Sequence, residues 1–538
     1  MPKTLQQMLS QSVDKFNDKL CFSFVDGESM TYKQLGQKAK EVQELLASLN
    51  IQSGDKVAIL SHNMPNWGMV YLAVTAMGAV AIPLLPDFSA KEVENVVNHS
   101  DAKVIFVSER LQAKVNEVNL PNVHTQILMN DISIIKSDVK RVKDVTIDYE
   151  VKPGDLAVII YTSGTTGKSK GVMLSHYNIM TQLESVYDLQ PVESDDIFLS
   201  ILPLSHTYEN SLGLLTPVLR GATVYYIDKA PTPNVLIPIL GKIRPTYMLA
   251  VPMIIEKIFK GKVLPQLMSS KLTRTLYRIP AMRKIMHQKA VKVLYQTFGG
   301  NLKFFGIGGA KLDPVVERFL REGIAFPYAI GYGLTETAPL LAGAVPGKVK
   351  AQSTGVPIFN VTLKINDPKP GTGIGEIWAK GPSIMMGYYK DQSQTSEVFS
   401  TDGWFKTGDL GVFDRQGNLS IKGRLKNMIL GASGENIYPE EIESVINNFR
   451  FVADSLVVER KGRLVAMVRF NHEELEKKLR ELRKEAEYYI EELKNELMEY
   501  VNSQVNRFSR ISMVEALPCD FEKTSTLKIK RFLYNNHP

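Results

Sequence analysis

Short runs of β-branched and aliphatic residues recur along this chain with amphipathic segments between them, and that alternation restricts the fold more than any other feature. The runs Lys56-Val-Ala-Ile-Leu60, Lys103-Val-Ile-Phe-Val107, Leu156-Ala-Val-Ile-Ile-Tyr161 and Ala222-Thr-Val-Tyr-Tyr-Ile227 read as largely buried strands. Strands buried on both faces need helices to cover them, so the pattern predicts an α/β fold built in layers. Trp67 to Leu85 is the most apolar stretch, but Gly68, Gly78 and Pro83 interrupt it. It is too broken to span a membrane and reads as a buried helix followed by a strand. At 538 residues the chain exceeds what one core supports, so two or more domains are expected.

Between Ser353 and Arg424 the texture changes to short strands and glycine turns, as in Gly371-Thr-Gly-Ile-Gly375 and Asp414-Arg-Gln-Gly-Asn418, which predicts a smaller, mainly antiparallel, barrel-like β unit. Beyond Gly423, Pro439 to Ile446 reads as a helix with proline in its first turn. Ala453–Glu459 and Arg463–Phe470 read as strands. The expected organisation is therefore residues 1–423 as a large domain of two α/β subdomains with the β unit from about 353, and 424–538 as a small α+β domain. In the stretch from about 473 to 505, Leu475, Leu479, Leu482, Ala486, Tyr489, Leu493 and Leu497 recur at helical spacing. Such a helix docks on its own domain, or else on a partner or a membrane surface.

The formal net charge of +7 favours polyanionic ligands or an acidic membrane surface; the plain alternative is an ordinary, mildly basic surface. Cys21 and Cys519 stand at opposite ends of the chain, with neither disulfide nor zinc spacing, and Met1 to Phe16 lacks the apolar run of a signal peptide. A cytoplasmic protein is expected, with peripheral contact at the inner face of a membrane, nucleic-acid binding not expected, and oligomeric state open.

The strongest local signal is Tyr161-Thr-Ser-Gly-Thr-Thr-Gly-Lys-Ser-Lys-Gly171, directly after a buried strand. Gly164 and Gly167 free the backbone, the hydroxyls of Thr162, Ser163, Thr165 and Thr166 add donors, and Lys168 and Lys170 add charge. Together these describe a phosphate-gripping loop. Two residues separate its glycines where a Walker A loop has four. A solvated linker could have this composition, but not this position behind a strand.

This loop resembles the AMP-binding signature of the acyl-adenylate-forming superfamily, which includes acyl-CoA synthetases, firefly luciferase and peptide-synthetase adenylation domains. The family's other motifs follow in order: Gly331-Tyr-Gly-Leu-Thr-Glu-Thr337, Gly375-Glu-Ile-Trp378, Gly403-Trp-Phe-Lys-Thr-Gly-Asp-Leu410, Gly423-Arg-Leu-Lys426, Ser433-Gly-Glu-Asn-Ile437 and Thr526-Leu-Lys-Ile-Lys-Arg531. The resemblance implies ATP, magnesium and coenzyme A as reaction partners and a small mobile C-terminal domain. It gives Glu336 the magnesium ion, Thr335 a place beside the phosphates, Gly333 a place in the ATP/AMP site, Tyr332 the adenine face and Gly308-Gly309-Ala310 the edge of the base. Asp409 would accept both ribose hydroxyls, with Arg424 close by, unless the two are only a structural ion pair.

By the same resemblance Lys528 bridges the acyl carboxylate and the α-phosphate, with Lys530 as competitor. Lys426 is the interdomain hinge, and Gly434 lines the coenzyme A path or is a plain turn glycine. Leu202-Pro-Leu-Ser-His-Thr-Tyr-Glu209 resembles the segment flanking the acyl pocket of long-chain fatty acyl-CoA synthetases, with His206 near the reacting carboxylate; it could also be a buried turn holding a satisfied histidine. The expected activity is an ATP-dependent ligation of a fatty acid to coenzyme A through an acyl-adenylate. Aromatic or medium-chain acids, a luciferase-like oxygenase and a stand-alone adenylation enzyme are the alternatives.

Overall fold

The computed structural model describes residues 2–143, 145–147, 149–163, 169–430, 435–460, 462–471, 475–476, 486–524 and 528–534. They form two compact units, of which the first comprises 1–363, 379–406 and 417–419, and the second 364–378, 407–416 and 420–538. The β unit expected inside the large domain is thus shared between the two, and the expected boundary after Gly423 falls within the second.

The first unit holds two large sheets. The eight-stranded sheet contains Lys56–Leu60, Val80–Leu84, Ala102–Val107 and Leu156–Ser163. The nine-stranded sheet contains, side by side and parallel, Ile197–Ser200, Tyr247–Ala250, Phe304–Ile307 and Tyr328–Gly333. Each of the four β-branched runs is a strand within two residues of its expected limits, because such side chains fit a pleated surface buried on both faces.

The broken apolar stretch folds as expected into the helix Pro65–Ala76 and the strand Val80–Leu84. Proline opens the helix where no intrahelical N–H is required, and all of its residues except Asn66 are buried. A side chain at Gly68 would lie within 3 Å of Leu214 and Phe22, so glycine here lets the helix sit directly against the nine-stranded sheet. One apolar cluster takes Trp67 and Tyr71 from this helix, Phe22 and Val224 from one sheet, and Val57 and Val158 from the other. The helix is the middle layer between two sheets.

In the second unit Val452–Arg460 and Arg463–Phe470 pair antiparallel, and Met513–Ala516 joins the latter in parallel. The helices Pro439–Ile446 and Ala486–Gln504 cover this sheet. Tyr489, Leu493, Leu497 and Val501 are buried in the same cluster as Ile442 and Val468. The described part of the long helix therefore spends its apolar face on its own unit; Leu479 and Leu482 lie outside the described residues. A four-stranded sheet takes Thr362–Asn366, Gly375–Lys380, Phe405–Phe413 and Leu419–Arg424 in that order. Among the described residues no helix is long and apolar enough to cross a membrane.

Candidate active site

Three of the segments singled out in the sequence leave the carboxyl ends of parallel strands of one sheet, where α/β sheets bind ligands. The segment with His206 follows Ile197–Ser200, Gly308-Gly309-Ala310 follows Phe304–Ile307, and Tyr332, Gly333, Thr335 and Glu336 end or follow Tyr328–Gly333. A side chain at Gly333 would collide with the Pro339 carbonyl, which explains glycine at that turn. Gly308 donates its N–H to the Ala250 carbonyl at 3.2 Å, and the Tyr208 ring lies against it. Gly309 has φ +82°, a left-handed conformation that suits glycine, and Ala310 is exposed.

The strands flanking the phosphate loop pair with each other. Leu156–Ser163 pairs antiparallel with Ser169–Ser175, with Thr162 opposite Lys170 and Ser163 opposite Ser169. Gly164, Thr165, Thr166, Gly167 and Lys168 lie outside the described residues, as does Gly434. The two-residue strand Gly387–Tyr388 pairs with the other edge of Ser169–Ser175, setting Tyr388 opposite Val172. The Asn178 amide secures this segment by donating 2.8 Å bonds to the carbonyls of Pro382 and Ile384. Lys170 lies 4.9 Å over the Tyr388 ring, and the Tyr388 hydroxyl donates to a Glu336 carboxylate oxygen at 2.9 Å. Lys170, Tyr388 and Glu336 thus form a line from the phosphate hairpin to the proposed metal carboxylate.

Sequence reasoning did not select Tyr388. It stands 52 residues after Glu336 in a stretch with no motif of its own, and only its pairing with the hairpin gives it a role.

Among the described residues no three His, Cys, Asp or Glu side chains converge as a metal site. A lone half-buried carboxylate is a poor zinc ligand set. It fits magnesium, which takes one or two carboxylates and completes its shell with substrate phosphates and water.

The His206 segment is tied down from several sides. The Asn63 amide donates to Ser200 Oγ and to the Leu202 carbonyl, and its oxygen accepts from Leu204 N–H. His206 Nδ1 accepts the Tyr208 N–H at 3.2 Å, so the neutral ring carries its proton on Nε2. Glu209 is fully buried. Ser200 Oγ donates to its Oε1 at 2.6 Å, while Oε2 has no hydrogen-bond partner among the described residues. Burial pushes this carboxyl up to about 8, the Ser200 hydroxyl opposing the shift.

The folded chain therefore holds a proton that the unfolded chain has already released above pH 4.5, and stability from this group falls as pH rises from about 4.5 to 8. Glu209→Gln removes the titration. Between pH 5 and 8 the difference in unfolding free energy should move in the variant's favour by about 1.4 kcal/mol per pH unit. Denaturant melts at the two pH values measure it, and a pH-independent difference refutes the buried proton.

In the second unit, Asp409 on Phe405–Phe413 is buried and pairs with Arg424 at 2.8 Å. Arg424 also reaches the Thr407 carbonyl at 3.4 Å, and Thr407 Oγ1 donates to the Ile377 carbonyl. The structural ion pair foreseen as an alternative is present, and it leaves open a further use of the carboxylate. Lys426 is exposed on the short turn Leu425–Asn427. Lys528 is exposed too; its carbonyl accepts from Thr524 N–H at 2.7 Å, and its own N–H donates to Thr524 Oγ1. Lys530 Nζ lies 3.7 Å from Glu522.

The chain is similar to several known proteins. A family profile described as "AMP-binding enzyme" matches residues 9–389. Long chain acyl-CoA synthetase 6, peroxisomal, of Arabidopsis thaliana is 29% identical over 473 residues, 80% of this chain and 67% of that protein. 4-Coumarate–CoA ligase 1 of Solanum tuberosum is 28% identical over 476 residues, 83% of this chain and 80% of its own. The solved structure of O-succinylbenzoate coenzyme A synthetase from Bacillus subtilis, in complex with ATP and magnesium ion, superposes with a TM-score of 0.77 at 23% identity, covering 98% of each chain. The profile spans well over half of the chain and takes in the phosphate hairpin, Glu336 and Tyr388, so the chain belongs to the AMP-binding enzyme family, the acyl-adenylate-forming ligases.

Proposed function

We propose that this chain is an AMP-forming acid:CoA ligase whose substrates are long-chain fatty acids. The line of Lys170, Tyr388 and Glu336 beside the strand ends carries the adenylation half of the reading. In that half-reaction an acyl carboxylate attacks the α-phosphate of ATP and pyrophosphate leaves, so negative charge gathers on one small volume. Magnesium held by Glu336 with the nucleotide's phosphates would supply positive charge there. Lys170 adds a cation at the hairpin, and the Tyr388 hydroxyl fixes the orientation of the Glu336 carboxylate. His206, with its proton on Nε2, can donate to the incoming acyl carboxylate and aim it. Tyr332 faces the adenine in this reading, Asp409 receives the ribose hydroxyls, and Lys528 neutralises the two reacting anions. Coenzyme A then takes the acyl group along the path assigned to Gly434, and AMP leaves.

The choice of long-chain acids is supported by the Leu202–Glu209 segment and by the plant long-chain acyl-CoA synthetase among the relatives. The 4-coumarate ligase relative favours an aromatic acid instead. A profile of CoA-dependent AMP release across acetate, medium-chain, long-chain and aromatic acids decides between them. For a fatty tail in an apolar channel, kcat/KM should climb by up to about fourfold per added methylene, the equivalent of about 0.8 kcal/mol, until the channel is full. A maximum at 4-coumarate or at acetate overturns the long-chain assignment and leaves the ligase chemistry standing.

A further inference from the structure

Positive charge is not spread evenly over this chain. Residues 252–297 hold ten lysines and arginines against one acidic residue, Glu256, a formal +9 in a chain whose total is +7, so everything else together carries −2. This segment is the helical excursion between the neighbouring strands Tyr247–Ala250 and Phe304–Ile307 of the first unit. Carboxylates hold two of the ten, Lys260 with Asp313 and Arg283 with Glu322. Among the described residues the other eight enter no ion pair within 4.0 Å.

The same surface exposes apolar side chains. The helix Pro280–Thr297 buries His287, Val291 and Leu294 on one side. At 3.6 residues per turn its opposite side carries Ile285, Lys289, Lys292 and Val293, with Lys284 on the flank, all exposed, Ile285 at 47% and Val293 at 67%. Preceding it, the amphipathic helix Lys271–Arg278 exposes Leu272 at 68% beside Lys271 and Arg274.

We infer that this basic and apolar face, residues 252–297, docks the protein on the surface of an anionic lipid bilayer. Charge alone would suit a nucleic acid equally, and the side chains between the charges decide. A phosphodiester backbone gains nothing from Ile285 and Val293 standing among three lysines. A bilayer takes both kinds at once, lysines at the headgroups and aliphatic side chains just below them. Rings for base stacking are not offered either, since Phe259 is buried and Tyr277 and Tyr295 are only half-buried.

The face begins at Pro252, two residues beyond Ala250, whose carbonyl accepts the Gly308 N–H of the candidate adenine segment. The inference does not rest on the chain length proposed above, and its test uses no acid.

Cosedimentation of the full chain with phosphatidylcholine vesicles, with and without phosphatidylserine, tests the surface in buffer free of ATP, CoA and fatty acid. The chain should bind the phosphatidylserine vesicles at low salt, bind pure phosphatidylcholine at least about tenfold more weakly, and release at high salt. Lys284→Glu, Lys289→Glu and Lys292→Glu together should lower partitioning by about a hundredfold or more, since each lysine near an anionic surface contributes about fivefold. Ile285→Ser with Val293→Ser should weaken binding while leaving its salt dependence unchanged. An unchanged melting temperature in both variants keeps the comparison free of folding effects. Failure of the parent to bind phosphatidylserine vesicles overturns the inference. Equal binding to both vesicle types, parental binding by the charge-reversed variant, or capture of double-stranded DNA in place of vesicles does so as well.

Discussion

Lys528→Ala should lower acid-dependent ATP–pyrophosphate exchange by roughly two to three orders of magnitude, the effect of deleting one preorganised charge contact worth about 3–4 kcal/mol in a transition state. The same variant should convert a supplied acyl-adenylate and CoA to thioester at close to the parental rate. The reason is a difference in charge between the half-reactions. Adenylation forces a carboxylate onto an anionic phosphate, and a lysine amino group repays its position only as the two merge. Thioester formation starts from a neutral acyl carbonyl, where that repulsion is gone. Lys530→Ala is the matched control, because its amino group lies 3.7 Å from Glu522 and its N–H donates to the Glu522 carbonyl. It should change exchange by less than about threefold, as expected for an exposed ion pair. Equal losses in both half-reactions for Lys528→Ala would give that lysine a structural role, and a larger loss in Lys530→Ala would exchange the two assignments.

Glu336→Gln should slow adenylation by about a hundredfold or more and raise the magnesium concentration needed for half-maximal rate, because a neutral amide is a far weaker ligand for a hard cation. Tyr388→Phe removes a single 2.9 Å hydrogen bond to that carboxylate and leaves its charge in place. The loss there should stay below about tenfold, in line with one hydrogen bond to a charged group. Magnesium titrations of both variants provide the check. Matching losses with an unchanged magnesium dependence would make Glu336 a structural partner of Tyr388 and nothing more.

Much of the fold was legible because the decisive signals are local. Buried parallel strands announce themselves as β-branched runs, and the proline at the start of Pro65–Ala76 marks where that helix begins. The phosphate hairpin was legible for the same reason, a buried strand followed at once by glycines, hydroxyls and lysines. What escaped depends on contacts distant in sequence. Tyr388 gains its function from a strand more than 200 positions earlier, through its pairing with Val172. Glu209 looks like any other acid next to a tyrosine, and only the closure of the fold around Ser200 turns it into a buried proton carrier. The β unit read as one block because its turn chemistry is continuous along the sequence. Its division between two compact units follows from which segments it contacts, and turn residues do not encode that.

The middle-layer helix also bears on how the chain is made. Pro65–Ala76 needs both sheets before its surface is covered, yet Phe22, against which Gly68 packs, lies in a strand whose parallel neighbour holds Val224, some 200 residues downstream. A ribosome adding about 5–20 residues per second takes roughly 7–30 s to go from the end of the helix at Ala76 to Val224. For that time the nascent chain displays one of its most apolar helices without its final neighbours, which makes this stretch a natural landing place for a chaperone and the first source of aggregates when synthesis stalls before the strand Thr223–Tyr226 arrives. Fragments ending short of Val224 should accordingly be insoluble.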